Sequence, residues 1–186
     1  SRDKLKLYLL EGDVMLEAGR HQEAFDIYDR ALLDMPDESN LLYARALSAE
    51  KINRLDILES DLRLILSNEP NNVQALNALG YTLADKTERY EEALRYIKRA
   101  LALEPKDAAV VDSMGWVQYR MGNHKEALTY LKNAMAIIGD VEIAAHFGEV
   151  LWVTNNKEEA INVWDQALKQ SPNNKMILDV MRRFGL

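Results

Sequence analysis

LNALGYTLAD (Leu76–Asp85), then YEEALRYIKRALALEPKD (Tyr90–Asp107), then AAVVDSMGWVQYRMG (Ala108–Gly122) is the stretch that decides the fold. At helical spacing Leu76, Leu79, Gly80 and Leu83 fall on one face of a first helix, and Ala93, Ile97 and Ala100 on one face of a second, which Pro105 stops. The pattern then begins again. Gly80 recurs as Gly115, Ala93 as Ala127 and Ala100 as Ala134, each one repeat length later. A helix-turn-helix unit copied along the chain at a fixed period implies stacked helix pairs, because one pair cannot bury its apolar face alone.

Outward from that stretch, Pro36, Pro70, Pro105 and Pro172 close successive units at intervals of 34, 35 and 67 residues, the last interval being two units with Gly139 in the proline's place. The spacing predicts a single domain over 1–186 with five repeats, at about 5–38, 39–72, 73–107, 108–140 and 141–174, and a capping helix over 175–186. The second repeat keeps the period but carries Leu58 and Ile65 where small residues are usual and Arg45 where Leu is usual, which predicts helices pushed slightly apart. The third has one extra residue in the turn around Lys86–Arg89, and the fourth turns at Met121-Gly122-Asn123. The end segment is amphipathic, with Ile177, Leu178, Met181 and Phe184 apolar beside Lys175, Asp179, Arg182 and Arg183, as a lid over a last repeat requires. Tyr28, Tyr96, Tyr130 and Trp164 fall at packing positions of second helices.

Composition narrows the function. The 186 residues are 48% hydrophobic with a net charge of −7, so phosphate-backbone binding is disfavoured and nucleic acid is not an expected partner. No apolar run approaches the roughly 18 residues of a membrane span, so no membrane contact is expected from this segment. There is no cysteine, which removes disulfides and thiolate chemistry. A first residue of Ser1 implies a fragment or processed form, leaving a lipid anchor on the whole protein open.

The quoted residues resemble the tetratricopeptide repeat family over roughly Leu5 to Asn174. The resemblance implies an all-α, right-handed α-solenoid of about five helix pairs plus the capping helix, in which each first helix lines a concave groove that holds a peptide or partner helix. Carried onto this chain, the groove receives Leu9, Asp13 and Leu16, then Tyr43, Leu47 and Glu50, then Asn77, Tyr81 and Ala84, then Asp112, Trp116 and Tyr119, and last Ala145, Glu149 and Trp152. Glu17, Lys51, Asp85, Arg120 and His146 adjoin them. LNALGYTLAD, DSMGWVQYRMG and AAHFGEVLW also look like the C-terminal repeats of Gram-negative outer-membrane tetratricopeptide lipoproteins, some of which are adaptors presenting substrates to a periplasmic C-terminal processing protease. That similarity implies the periplasmic face of the outer membrane, with the cytoplasm as the alternative.

The expected partner-binding site is Asn77, Tyr81, Asp112, Trp116, Tyr119 and Arg120, extended by His146, Glu149 and Trp152. It is read as exposed aromatics beside hydrogen-bonding groups on consecutive first helices, the residue types in which interface energy concentrates. The lining is expected to be acidic and to favour basic or neutral peptides. The competing expectations are that Trp116 and Tyr119 pack against the next unit and that the capping helix covers Trp152. The carboxylate clamp of chaperone-binding relatives has no counterpart at Leu9, Asp13, Tyr43, Ala44, Asn77 or Tyr81. Catalysis finds no support: His21, His124 and His146 lack metal-ligand spacing, and Glu91-Glu92 and Glu158-Glu159 open second helices, where negative charge suits the helix dipole. No enzyme activity, cofactor or metal is expected, and the ligand is a protein or peptide, a protease and its substrates in the narrower resemblance. The alternative function is a spacer or self-association module, a homodimer formed through terminal helices.

Overall fold

The computed structural model describes residues 2–186. Among them lie eleven helices and no strand: α1 (Arg2–Glu17), α2 (His21–Asp34), α3 (Ser39–Lys51), α4 (Leu55–Asn68), α5 (Val73–Lys86), α6 (Tyr90–Leu103), α7 (Ala108–Arg120), α8 (His124–Ile137), α9 (Val141–Val153), α10 (Lys157–Gln170) and α11 (Lys175–Arg183). The chain is all-α, of the α-solenoid class. No described helix is long and apolar enough to cross a membrane.

Local chemistry sets the ends of these helices. Gly19 (φ +71°), Asn53 (+59°), Gly122 (+84°) and Asn155 (+66°) stand at equivalent turns between first and second helices. Each turn closes alike: the amide of the following residue donates back five positions, as Arg20 N does to the Met15 carbonyl and Asn123 N to the Gln118 carbonyl. Only glycine or asparagine reaches that left-handed geometry at small cost. The third turn differs because α5 has 14 residues where α3, α7 and α9 have 13. There Thr87 Oγ1 donates to the Leu83 carbonyl at 2.5 Å and accepts from Arg89 N at 3.1 Å. First helices are started by side-chain caps: Asn72, Asp107 and Asp140 accept from Ala75 N, Val110 N and Ile143 N at 3.0, 3.0 and 2.9 Å.

The chain divides into two compact units, up to Leu79 and from Gly80 onward, the boundary falling inside α5. In the first unit α1 packs on α2, α2 on α3, and α3 on α4. A methyl group on Gly12 would lie 2.1 Å from the Tyr28 ring, so the glycine is what lets that fully buried ring under α1. Tyr28 donates to Asp13 at 3.0 Å, and burial pushes its hydroxyl pKa well above the ordinary value. In the second repeat Ala46 takes the glycine's place with Leu62 in the aromatic's, both fully buried, and Leu58 and Ile65 are buried as well. Arg45 forks onto the buried Asp61 carboxylate (Nε–Oδ2 2.8 Å, Nη2–Oδ1 2.7 Å) and reaches Asp29 at 2.6 Å. A salt bridge thus stands where the repeat usually packs a leucine.

The second unit stacks α6 on α7, α7 on α8, and α8 on α9, while α9 meets α7, α10 and α11. Covered on these sides, α9 is buried continuously from Ile143 to Leu151. Its Gly148 faces Trp164, just as Gly80 faces Ile97 and Gly115 faces Leu131. α11 lays Ile177 and Val180 into the core around Trp164, with Met181 and Phe184 packed beside them. α11 thus covers apolar surface of the α9–α10 pair.

Candidate binding groove of the second unit

The first-helix face of the second unit is built by the last turns of α5, by α7 and by α9. Its floor is a bonded polar chain. His146 Nδ1 lies 2.8 and 3.0 Å from the two Asp112 oxygens, and His146 Nε2 lies 3.2 Å from the Tyr81 hydroxyl. Trp116 stacks on the imidazole with ring centres 4.2 Å apart, and its Nε1 donates to Asp85 Oδ1 at 3.1 Å. Arg120 donates to the Asp85 carbonyl at 2.9 Å and to the Tyr90 hydroxyl at 3.3 Å. One network therefore ties α5, α7 and α9 through residues 30 to 65 positions apart in the chain.

A second cluster lies farther along. The Tyr119 hydroxyl donates to Glu149 Oε1 at 3.3 Å, and Arg183 from α11 donates to Glu149 Oε2 at 2.6 Å and Oε1 at 3.5 Å. Trp152 packs against Phe184 (5.5 Å between centres) and Trp164 (6.0 Å), with Lys157 Nζ 5.0 Å over its ring.

Burial corrects part of the expected site. Asp112, Trp116, His146 and Glu149 are only 4, 6, 5 and 6% exposed, so Trp116 is a floor residue and not an exposed aromatic. The reason is that Asp85 and His146 reach it from the repeats before and after, which the register of one helix does not contain. Tyr81, Tyr119, Arg120 and Trp152 are half-buried and form the accessible rim. Asn77 is also half-buried; it lies on the part of α5 that belongs to the first unit, and its buried Oδ1 has no hydrogen-bond partner among the described residues. Trp152 is indeed met by the end segment, through Phe184.

The electrostatics are more balanced than an acidic field. Asp85 is flanked by Lys86 (2.7 Å) and Arg120 (3.8 Å), Asp112 by His146, and Glu149 by Arg183. Burial, the largest influence on His146, disfavours its protonated form. Asp112's charge and hydrogen bond, with the charges of Glu142 and Asp85, outweigh it and raise the pKa above the ordinary imidazole value. Tyr119 is pushed up to about 12, first by burial and then by Glu149, against the opposing Arg183 and Arg120. Arg183 and Tyr90 complete the site beyond the residues expected in or beside the groove. A signal for Arg183 exists, since it sits three residues after Val180 and next to Phe184, at the edge of the buried face of α11.

Comparison with known proteins follows the same architecture. The tetratricopeptide repeat family model matches residues 73–107. A TPR repeat-containing protein of Pseudomonas aeruginosa is 45% identical over 145 residues, 78% of this chain and 25% of the relative. Anaphase-promoting complex subunit 7 of Mus musculus is 23% identical over 184 residues, 97% of this chain and 32% of the relative. The chain thus spans a quarter to a third of the length of these curated relatives. Among solved structures, a TPR protein of Thermus thermophilus superposes with a TM-score of 0.84 at 24% identity, covering 96% of both chains, which speaks for the fold alone. The paired helices with a glycine opposite a bulky second-helix side chain, the matched third repeat and the relative at 45% identity agree, and the chain belongs to the tetratricopeptide repeat family.

Proposed function

We propose that the second unit captures a segment of a protein partner on the rim of Tyr81, Tyr119, Arg120 and Trp152, over the floor of Asp112, Trp116, His146 and Glu149. The repeat family and its fold are those of protein-interaction scaffolds rather than enzymes. The observation that carries the site is the network from Asp85 through Trp116 and His146 to Asp112, which holds Tyr81 through His146 and backs Tyr119 through Trp116 before any partner arrives. Preorganisation of that kind lowers the ordering cost of binding, and half-buried Tyr, Trp and Arg supply the anchors. The likeness of LNALGYTLAD, DSMGWVQYRMG and AAHFGEVLW to outer-membrane lipoprotein repeats supports the finer form: an adaptor at the periplasmic face of the outer membrane that presents substrates to a C-terminal processing protease.

Affinity capture from extract of the source organism, with wild type beside Tyr119→Ser/Arg120→Ser, tests the site. A periplasmic protease or its substrates retained by wild type and lost from the folded variant is the expected result; identical captures sink the groove reading. Self-association is the second reading, favoured by the exposed Leu7, Leu10 and Val14 stripe on α1. Light scattering over a concentration series separates it, since a dimer that persists in Leu7→Ser/Leu10→Ser removes that surface from consideration.

A further inference from the structure

Glu149 and Arg183 make an uneven pair. The Glu149 side chain is 8% exposed and the Arg183 side chain 58%, yet the guanidinium places both its terminal nitrogens on the carboxylate. Tyr119 provides the carboxylate's other hydrogen bond, a neutral one at 3.3 Å. A carboxylate this buried is costly to leave without a cation, whereas an arginine mostly in water leaves with little change in solvation. Arg182, next to it, is engaged with Asp179 at 2.8 Å on the outer side of α11.

We infer that Glu149 and Tyr119 form a binding site for an arginine side chain of the partner, and that Arg183 fills this site in the free chain as a built-in competitor. The inference rests on the groove reading proposed above and names the ligand chemistry of one end of it. Arginine is favoured over lysine because the contact already present is a two-nitrogen fork on two oxygens, a geometry an ammonium group does not reproduce. Phe184, adjacent to Arg183 in sequence, lies against Trp152, so departure of the guanidinium leaves the apolar docking of α11 in place. Capture is then an exchange of one guanidinium for another, and its strength is reduced by the fraction of time Arg183 is seated.

The test titrates acetyl-Gly-Arg-Gly-amide, and separately acetyl-Gly-Lys-Gly-amide, into the isotope-labelled full chain and follows amide resonances by NMR. If Arg183 is seated about nine-tenths of the time, Arg183→Met, which keeps the apolar stem, binds the arginine peptide about ten-fold more tightly than wild type. Shifts should centre on Tyr119 and Glu149, the lysine peptide should bind more weakly, and Arg182→Met should match wild type. Adding Glu149→Gln to Arg183→Met should abolish the gain. No gain in Arg183→Met, a gain that survives Glu149→Gln, or equal binding of the lysine peptide overturns the inference. Should Arg183→Met lose the α11 resonances, Arg183→Lys carries the test, with a gain between wild type and ten-fold expected and no gain overturning it. Partner capture that depends on Tyr119 and Arg120 but not on Arg183 or Glu149 leaves the groove reading standing without this site; capture independent of all four removes both.

Discussion

Asp112 grips His146 with both carboxylate oxygens, at 2.8 and 3.0 Å from Nδ1, and so joins α7 to α9 inside the protein. The pair is buried on both sides and extends to Tyr81 through Nε2. His146→Ala leaves the Asp112 charge in place without its partner and is expected to cost about 3 kcal/mol, the usual scale for breaking a buried pair from one side. Urea unfolding monitored by circular dichroism measures it.

The same pair predicts a pH dependence. The folded-state pKa of His146 is raised, so its contribution to stability is fully present below the ordinary imidazole value, about 6.5, and is lost as pH rises through the higher folded value. The urea midpoint of wild type should therefore fall across that window by more than the midpoint of His146→Gln. Asp112, Glu142, Asp85 and Tyr81 are the titratable groups that act on the ring. Parallel profiles for the two proteins would show that His146 keeps one charge state throughout.

Gly148 and Trp164 are matched partners. An added methyl at Gly148 would meet the indole Nε1 at 2.1 Å, and Trp164 is fully buried, so Gly148→Ala should destabilise by about 1–3 kcal/mol. The second repeat carries the alternative solution, Ala46 with Leu62. Gly148→Ala/Trp164→Leu should accordingly be more stable than the sum of its single substitutions implies. A thermodynamic cycle from four unfolding curves reads the coupling, and strict additivity would show that the two positions do not share one space.

How much of this is legible in the sequence depends on how far apart the interacting residues lie. Gly80, Gly115 and Gly148 mark the helix pairs because each glycine and its bulky partner are within one repeat, so the period alone reports them. Register also puts Asp112 and Trp116 on one face of α7, the face that meets Asp85 and His146. Their depth is another matter, because Asp85 and His146 reach them from the repeats before and after. Arg183 is harder still. Lys175, Arg182 and Arg183 are all cations of one short helix, and only the docking of Ile177 and Val180 selects which of them meets Glu149.

Arg45 is a departure from the repeat pattern whose partner lies on another helix. It stands where the repeat usually has an apolar residue. In the structure it neutralises Asp61, which is buried, and reaches Asp29 on the preceding second helix. Restoring the usual residue should therefore do harm: Arg45→Leu strands the Asp61 carboxylate and is expected to destabilise by about 3 kcal/mol. Arg45→Leu/Asp61→Leu removes both charges and should recover most of that loss, because a buried ion pair and an apolar pair of similar size are often close in stability. Urea midpoints of the two variants decide the point. If Arg45→Leu alone matched wild type, the salt bridge would be a surface ornament and the second repeat would depend only on Leu58, Leu62 and Ile65.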